Sequence, residues 1–482
     1  MMEIKIKIKI KNRKPPPKKD MLPRPRKIYK RLFLLNLPAM SCHSIGTGKE
    51  FQCPSGVAGT GGWLHRPLGW RQAATFLTLA LLLAGLLLPA AGCRTFSTRP
   101  VSDPAAAAAR LQAGGSIGAE VDRLAQPLVA RGEIYGLAVG VATPDGRSRC
   151  FGYGGVGTPG GAHPPDGDTI FQIGSVSKVF ITALLAVLVD EGVLHYEDTV
   201  RGILPPETPV NGEFGKVTLY ELAINMGGLP RQPASLSQLR DFTAFLFTGR
   251  NLYAYIDKPF LDNYLRNKNV KPKDAREYVY SNVGYGLLAH LIEVKTGRPF
   301  QELLEEKICR PLHLRDTTFV LTAEQQKRLA VGHAGRQPFL MRRGDPVAPW
   351  DMGEIMRPAG CLYSTVNDLL VFAQASLGMP GHAIEPALAS TQRVQLRRPA
   401  EDVAFGWLIN YVGDDRLKVT YKQGVIAGYS AYIGLSAESG IGVVVLYNTF
   451  SWDEEVGHNL ILRLARGLAP ARAAVCAEGP PR

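Results

Sequence analysis

Asp168-Thr-Ile-Phe-Gln-Ile-Gly-Ser175-Val-Ser-Lys178-Val-Phe-Ile-Thr-Ala-Leu-Leu-Ala-Val-Leu-Val189 changes its period in the middle. The first seven residues alternate and end in glycine, whereas the run from Val179 onward is almost wholly apolar. This pattern reads as a strand-like segment turning into a buried helix over about Ser175 to Glu191. Ser175 then falls at a helix N-terminus, where free backbone N–H groups and the positive end of the dipole favour a developing oxyanion. Lys178 lies one turn further on the same face, because residues three apart on a helix are neighbours. A serine hydroxyl becomes a nucleophile only when a base takes its proton. A lysine serves as that base when burial and nearby positive charge bring its pKa from about 10.4 towards about 7–8. A Ser with a Lys three residues on arises by chance about once or twice in a chain this long, so the pair needs support from its surroundings.

The chain has 482 residues, 45% apolar and 20% charged, a composition that fits a soluble globular protein with a large core. Its net charge of +14 is local: residues 1–72 hold 16 Lys or Arg against 3 acids. The remainder is close to neutral and shows no interleaving of basic and aromatic residues. The folded part is therefore not expected to bind nucleic acid.

No charged residue occurs between Arg71 and Arg94, and Ala73 to Leu88 is continuously apolar. With its basic flank and the small residues of Pro89-Ala-Ala-Gly-Cys93, residues 73–93 read as an export signal, the ending resembling a bacterial lipobox with Cys93 as the lipidated residue. The alternative is an uncleaved membrane anchor with a basic cytoplasmic tail. Either reading exports the C-terminal part, as a periplasmic, membrane-tethered protein. Residues 1–72 are expected to be a basic, disordered extension, with Ile4-Lys-Ile-Lys-Ile-Lys-Ile10 followed by Pro15-Pro-Pro17, and to reflect an upstream start.

After the apolar segment, residues 94–115 read as a tether, 116–470 as the folded domain and 471–482 as a tail. Strands are expected at Ile134 to Val141 and near Arg149 to Gly152, and again at Leu417–Lys422, Tyr429–Leu435 and Ile441–Tyr447. Residues from about 200 to 400 read as helices and loops, and a helix over Glu454 to Arg466 closes the domain. Strands at both ends with helices between predict an α/β (α+β) fold: an antiparallel sheet built from both chain ends, flanked by helices, with a mostly helical region inserted. Cys150, Cys309, Cys361 and Cys476 allow up to two disulfides but show no metal-ligand spacing.

Two further clusters carry chemistry. Tyr278-Val-Tyr280-Ser-Asn282-Val283 sets a phenol and an amide two positions apart before an apolar helix. In an extended segment both face one cleft, the phenol as a base near lysines and the amide orienting a lysine or a carbonyl. Lys422-Gln423-Gly424 lies on an expected strand, where glycine permits close backbone approach to a ligand. Each residue also has a structural reading: Tyr280 as packing, Asn282 as a cap for the next helix, Lys422 as a solvated strand lysine, Gln232 as surface. His195, His290 and His333 show no carboxylate or metal-ligand pattern and read as structural.

With these motifs in order, the sequence resembles the serine β-lactamase and penicillin-binding protein superfamily, and within it the class C β-lactamase branch. Phe171-Gln-Ile-Gly-Ser-Val-Ser-Lys178 is similar to the first motif, Tyr280-Ser-Asn282 to the Tyr-x-Asn motif and Lys422-Gln-Gly-Val-Ile-Ala-Gly-Tyr-Ser-Ala-Tyr-Ile433 to the third-motif strand. Gly228-Leu-Pro-Arg-Gln232 and Pro358-Ala-Gly-Cys-Leu-Tyr-Ser-Thr365 add two more stretches, and the likeness spans about residues 117 to 468. The resemblance implies that Ser175 forms an acyl-enzyme, that Lys178 and Tyr280 share proton transfer, and that Lys422 supplies positive charge to the tyrosine and to a substrate carboxylate. It implies an oxyanion hole from the backbone N–H groups of Ser175 and Val425, and substrate contacts from Gln232, Asn282, Gln423 and Gly424. Gln423 stands where the family has Thr or Ser, which alters the carboxylate contact. The expected function is an exported serine hydrolase acting on β-lactams or D-alanyl-D-alanine peptides of peptidoglycan, needing no metal or organic cofactor. The alternatives are an esterase of the same fold and a surface-tethered binding protein without efficient turnover.

Overall fold

The computed structural model describes residues 103–157, 163–233, 236–253, 255–335, 340–379, 384–451 and 455–468. The basic extension, the apolar segment with Cys93 and the C-terminal tail lie outside these residues. No helix among the described residues is long and apolar enough to cross a membrane.

The first described element corrects the expectation of a tether. Asp103-Pro-Ala-Ala-Ala-Ala-Ala-Arg forms helix α1 (Pro104–Gln112), in which the Asp103 side chain accepts from the Ala106 N–H at 3.0 Å and proline takes the first turn. Both are helix-start signals, and alanine is the strongest helix former, so the composition that suggested a linker specifies a helix instead. Helix α2 (Ile117–Ala130) follows from an N-cap at Ser116.

Strands β1 (Gly136–Ala142) and β2 (Ser148–Gly154) form a hairpin. The chain then leaves the sheet for helices α3 (Ser177–Asp190), α4 (Asn282–Thr296) and α5 (Val366–Ser376), with shorter helices and loops between. It returns as β3 (Asp402–Val403), β4 (Leu408–Val412), β5 (Leu417–Ile426), β6 (Tyr429–Ser436) and β7 (Ile441–Tyr447), and helix α6 (Glu455–Leu468) follows. The seven strands form an antiparallel sheet in the order β2-β1-β7-β6-β5-β4-β3, so strands from the two ends of the domain pair directly within it. The predicted architecture is therefore the observed one.

Burial on both faces explains the uninterrupted apolar runs of the central strands. Val139, Val443, Val445 and Tyr432 pack with Val121, Leu460 and Leu464 from α2 and α6. Ala138, Val444, Leu446 and Ile433 face the helical region, including α3 and α5. Helix α5 can cross β1 closely because Gly140 has no side chain: a Cβ there would lie 2.5 Å from Val366 Cγ1. Helix α3 is buried on every side from Ser177 to Leu188, as an all-apolar helix at the centre of a large domain must be.

The Glu120 carboxylate ties the terminal helices together. It accepts from Arg110 Nε on α1 at 3.2 Å and Arg463 Nη1 on α6 at 2.9 Å, and the Glu120 and Arg463 side chains are each 3% exposed. Glu120→Ala takes the carboxylate from the buried Arg463 guanidinium and from Arg110, and is expected to lower stability by about 3 kcal/mol, read as a fall in the midpoint of urea unfolding. An unchanged midpoint would show that α1 and α6 hold together without this contact. Of the cysteines, Cys150, Cys309 and Cys361 are free thiols, so the allowed disulfides do not form among the described residues; Cys476 lies outside them.

Candidate active site

Gly174 decides where the nucleophile sits. It adopts φ +52°, and a Cβ on it would lie 2.7 Å from the Val425 nitrogen, so both conformation and space require glycine. Residues Gly174–Val176 form one 3₁₀ turn, and α3 begins only at Ser177. Ser175 thus stands in the tight turn ahead of the helix and not in its first α-helical turn, a small shift from the expectation. The Ser177 hydroxyl donates to the Gly174 carbonyl at 2.6 Å, and Phe171–Gln172 pairs with Tyr363–Ser364, fixing the approach to the turn.

Gly424 on β5 faces this turn. A Cβ there would lie 2.0 Å from the Ile173 carbonyl oxygen and 2.8 Å from the Ser175 nitrogen. The bare strand therefore brings the Val425 amide against the Ser175 turn. Gly424→Ala is expected to push strand and turn apart and reduce turnover at least about tenfold, because misplacing a reacting group by about 1 Å can cost about 100-fold. Steady-state kinetics on the folded variant check this, and unchanged kcat/KM would mean the strand does not set the geometry.

Tyr280 is delivered by a loop held by several local hydrogen bonds. Ser281 N–H donates to Asn225 Oδ1 at 2.9 Å, Ser281 Oγ donates to the Pro230 carbonyl at 2.7 Å, and the Asn282 N–H donates to the Arg231 carbonyl at 3.0 Å. Ser281 Oγ also accepts from the Gly284 N–H, so Ser281 caps α4 and Asn282 does not. These bonds lock the Tyr280 segment to the loop carrying Arg231 and Gln232.

Four side chains converge. Tyr280 Oη lies 2.7 Å and Lys178 Nζ 3.0 Å from Ser175 Oγ. Lys178 Nζ also donates to the Ala359 carbonyl at 2.7 Å. Lys422 Nζ stands 5.0 Å from the centre of the Tyr280 ring, and Lys178 Nζ 5.3 Å. Ser175 and Tyr280 are half-buried, whereas Lys178 is 1% and Lys422 3% exposed, so the nucleophile faces solvent and the amines do not. Burial pushes the Lys178 amine well below its usual pKa, the Arg231 charge adds to the effect, and Cys361 opposes it. Burial also lowers Lys422, against an opposing pull from Tyr280; Lys178 lowers it further and Glu401 resists. Burial pushes the Cys361 thiol, near Lys178, up to about 12, so it remains uncharged.

Other expected residues are placed differently. The Asn282 amide does not hold a lysine: its Nδ2 donates to Tyr253 Oη at 2.7 Å. Gln232 is half-buried on the Arg231 loop, and among the described residues its side chain makes no hydrogen bond to the Ser175 group. Gln423 follows Lys422 on an alternating strand and so leaves β5 on the other face, opposite Tyr432 of β6. Its Nε2 is buried without a partner among the described residues. His195 and His290 do have acids nearby, Asp198 at 3.9 Å and Glu293 at 3.7 Å, contrary to the sequence reading, but both pairs lie within their own segments. His333 is fully buried, stacks on Tyr135 at 4.0 Å and places Nδ1 3.1 Å from the Asn448 carbonyl oxygen. None of the three joins the Ser175 group.

Arg231 and Tyr253 are the site residues that the sequence reading missed. Arg231 Cζ lies 5.5 Å from the centre of the Tyr280 ring, and Tyr253 is buried behind Asn282. Arg231 stands inside a quoted motif, Gly228-Leu-Pro-Arg-Gln232, but attention fell on the glutamine. Tyr253 carries no local signal at all.

The arrangement can deprotonate a serine without histidine or metal, using two nitrogen and oxygen bases in contact with one hydroxyl. A model of the β-lactamase family matches residues 121–467. The D-alanyl-D-alanine-carboxypeptidase/endopeptidase AmpH of Escherichia coli K12 is 25% identical over 382 residues, 76% of this chain and 90% of that protein. A β-lactamase of Pseudomonas fluorescens is 25% identical over 364 residues, 68% of this chain and 92% of its own. The crystal structure of the class C β-lactamase from Rhodobacter sphaeroides superposes with a TM-score of 0.60 at 23% identity, covering 73% of this chain and 99% of that one.

Proposed function

The chain belongs to the β-lactamase family and is a serine hydrolase of that fold, and from this premise we propose that it acylates Ser175 with β-lactams or D-alanyl-D-alanine peptides. The observation that carries the reading is the double contact of Ser175 Oγ with Lys178 Nζ at 3.0 Å and Tyr280 Oη at 2.7 Å. The serine oxygen attacks the substrate carbonyl carbon while its proton passes to Lys178 or Tyr280. The backbone N–H groups of Ser175 and Val425 bind the oxyanion, a role consistent with the packing of Gly424 on the turn. The tetrahedral species then expels the amine, which takes up a proton from the same pair. Tyr280, less buried than Lys178, next accepts a proton from the water that hydrolyses the ester.

Asn282 and Gln232 are assigned to the acyl side of the substrate, because Asn282 and the Arg231–Gln232 loop are joined by a backbone bond beside Tyr280. Lys422 supplies positive charge to the phenol and to a substrate carboxylate. Gly424 offers bare backbone along the strand edge, whereas the Gln423 side chain leaves on the other face with its Nε2 buried and does not reach a carboxylate there.

A second reading, an esterase, is favoured by one feature: the Gln423 side chain leaves the strand on the face opposite Lys422. Purified residues 103–482 tested on three substrates separate the readings. Steady hydrolysis of a chromogenic cephalosporin supports the lactamase, while release of D-alanine from a D-alanyl-D-alanine peptide with persistent labelling by fluorescent penicillin supports the peptidase. Turnover of p-nitrophenyl esters alone supports the esterase and overturns the proposal. Export to the periplasm and a lipid at Cys93 rest on residues 73–93, and N-terminal sequencing with lipid analysis of the mature chain tests them.

A further inference from the structure

The two lysines of the site are both buried amines whose pKa values are lowered, Lys178 the more strongly. A guanidinium is different, because it stays charged across the working pH range. Two arginines approach the Tyr278–Asn282 segment. Arg398 stacks on the neighbouring Tyr278 at 3.9 Å and is paired with Glu401 at 3.5 Å. Arg231 lies on the face of Tyr280 itself, at 5.5 Å, the same ring that Lys178 approaches at 5.3 Å. Its backbone is pinned where it is needed: its carbonyl accepts from Asn282 at the start of α4, and the adjacent Pro230 carbonyl accepts from Ser281.

We propose that Arg231 is a positioning residue for proton transfer: its permanent charge, held against the Tyr280 ring, disfavours a second charge on Lys178 and keeps that amine ready to take the Ser175 proton. The inference rests on the reading of Ser175 and Lys178 given above. The surroundings of Lys178 fit it. Tyr280 faces the amine from the loop before α4 and Tyr285 from α4 itself, at 5.6 Å. The Ala359 carbonyl and the uncharged Cys361 thiol face it from the segment before Tyr363, and Lys422 lies across the cleft on β5. Among the described residues no Asp or Glu pairs with Lys178, so nothing local favours its protonated form through an ion pair. Burial alone would favour the neutral amine. A fixed cation beside the same Tyr280 ring widens the pH range over which it stays neutral.

The sign follows directly. Taking away a nearby positive charge makes Lys178 more basic, so more of it is protonated at a given pH and the acid limb of the rate profile moves upward. The test is the pH dependence of kcat/KM for whichever of the three substrates the chain turns over, in wild type, Arg231→Gln and Arg231→Lys. Arg231→Gln is expected to raise the acid-limb midpoint by about one pH unit, with a rate near tenfold lower below the limb and recovery above it. Arg231→Lys is expected to keep the wild-type limb, because it keeps a cation. A limb that stays in place in Arg231→Gln, whatever the loss in rate, overturns the inference and leaves Arg231 a loop-packing residue. Fluorescent-penicillin labelling of the same proteins separates this failure from a deeper one. Labelling that depends on Ser175 and persists in Arg231→Gln with an unmoved limb sinks only the arginine's role. No Ser175-dependent labelling or turnover in the wild type sinks the acylation reading and this inference with it.

Discussion

Ser175→Ala is expected to abolish labelling by fluorescent penicillin and to lower turnover of any substrate by about 10⁴-fold or more, with the unfolding temperature within about 2 °C of wild type. The activity loss is large because the two proton-transfer groups converge on Oγ, at 2.7 and 3.0 Å. Without it Lys178 and Tyr280 have no hydroxyl to activate, and what survives comes from the oxyanion-binding amides and substrate binding; in serine proteases removal of the nucleophile costs about 10⁶ in kcat. Stability hardly changes because Ser175 is half-exposed and its neighbours keep other partners. Lys178 retains the Ala359 carbonyl, and the vacated space opens to water. Substitutions at such positions usually stay within about 0.5 kcal/mol, which is about 1–2 °C for a domain of this size. Turnover retained in the folded variant would refute Ser175 as nucleophile and remove the basis for every other role assigned here.

How much of this was legible beforehand depends on where the information lies along the chain. Ser175 and Lys178 sit three residues apart, so helix geometry alone joins them. The sheet was legible because Ile441–Tyr447 and Tyr429–Ser436 are apolar on both faces, a pattern only a covered central strand requires. Tyr280 and Lys422 were legible only through the order of motifs, since local spacing cannot show that residues 105 apart share a hydrogen bond. Helix α1 is hard to read because alanine and glycine imitate linker composition, while its own signals are the Asp103-Pro104 start and the apolar stripe that meets α6. Ala107 is fully buried, and Gly467 of α6 has no side chain where Leu111 comes against it. Asn282 was given a lysine to hold because its partner Tyr253 lies 29 residues away in a separate loop. Strand alternation did contain the placement of Gln423: if Lys422 faces the serine, its neighbour cannot face it too.

Lys178→Met separates what the site requires for chemistry from what the fold requires. Methionine matches the length of the lysine stem and fills the same buried channel, so packing is conserved to first order. It offers no proton acceptor, and a positioned general base contributes about 10²–10⁴ in rate. Acylation is therefore expected to fall about 1000-fold, checked by single-turnover kinetics with a chromogenic cephalosporin or penicillin. Stability should move the other way, and its pH dependence carries the argument. Lys178 is held well below its ordinary value in the folded protein, whereas in the unfolded chain it titrates near 10.4. Between those two values the unfolded state binds a proton that the folded state does not, so lysine penalises folding by an amount that grows by about 1.4 kcal/mol for each pH unit the solution falls below 10.4. Methionine has no such penalty. It leaves the Ala359 carbonyl without its donor, a cost of about 1–3 kcal/mol that does not vary with pH. The variant should thus gain on wild type as pH is lowered from 10 towards 7 and lose its advantage as pH approaches 10.4, which paired unfolding curves at pH 7, 8.5 and 10 will register. A stability difference that stays flat with pH would mean Lys178 is charged in the folded protein, and a charged lysine cannot take the proton from Ser175; the base would then have to be Tyr280 alone.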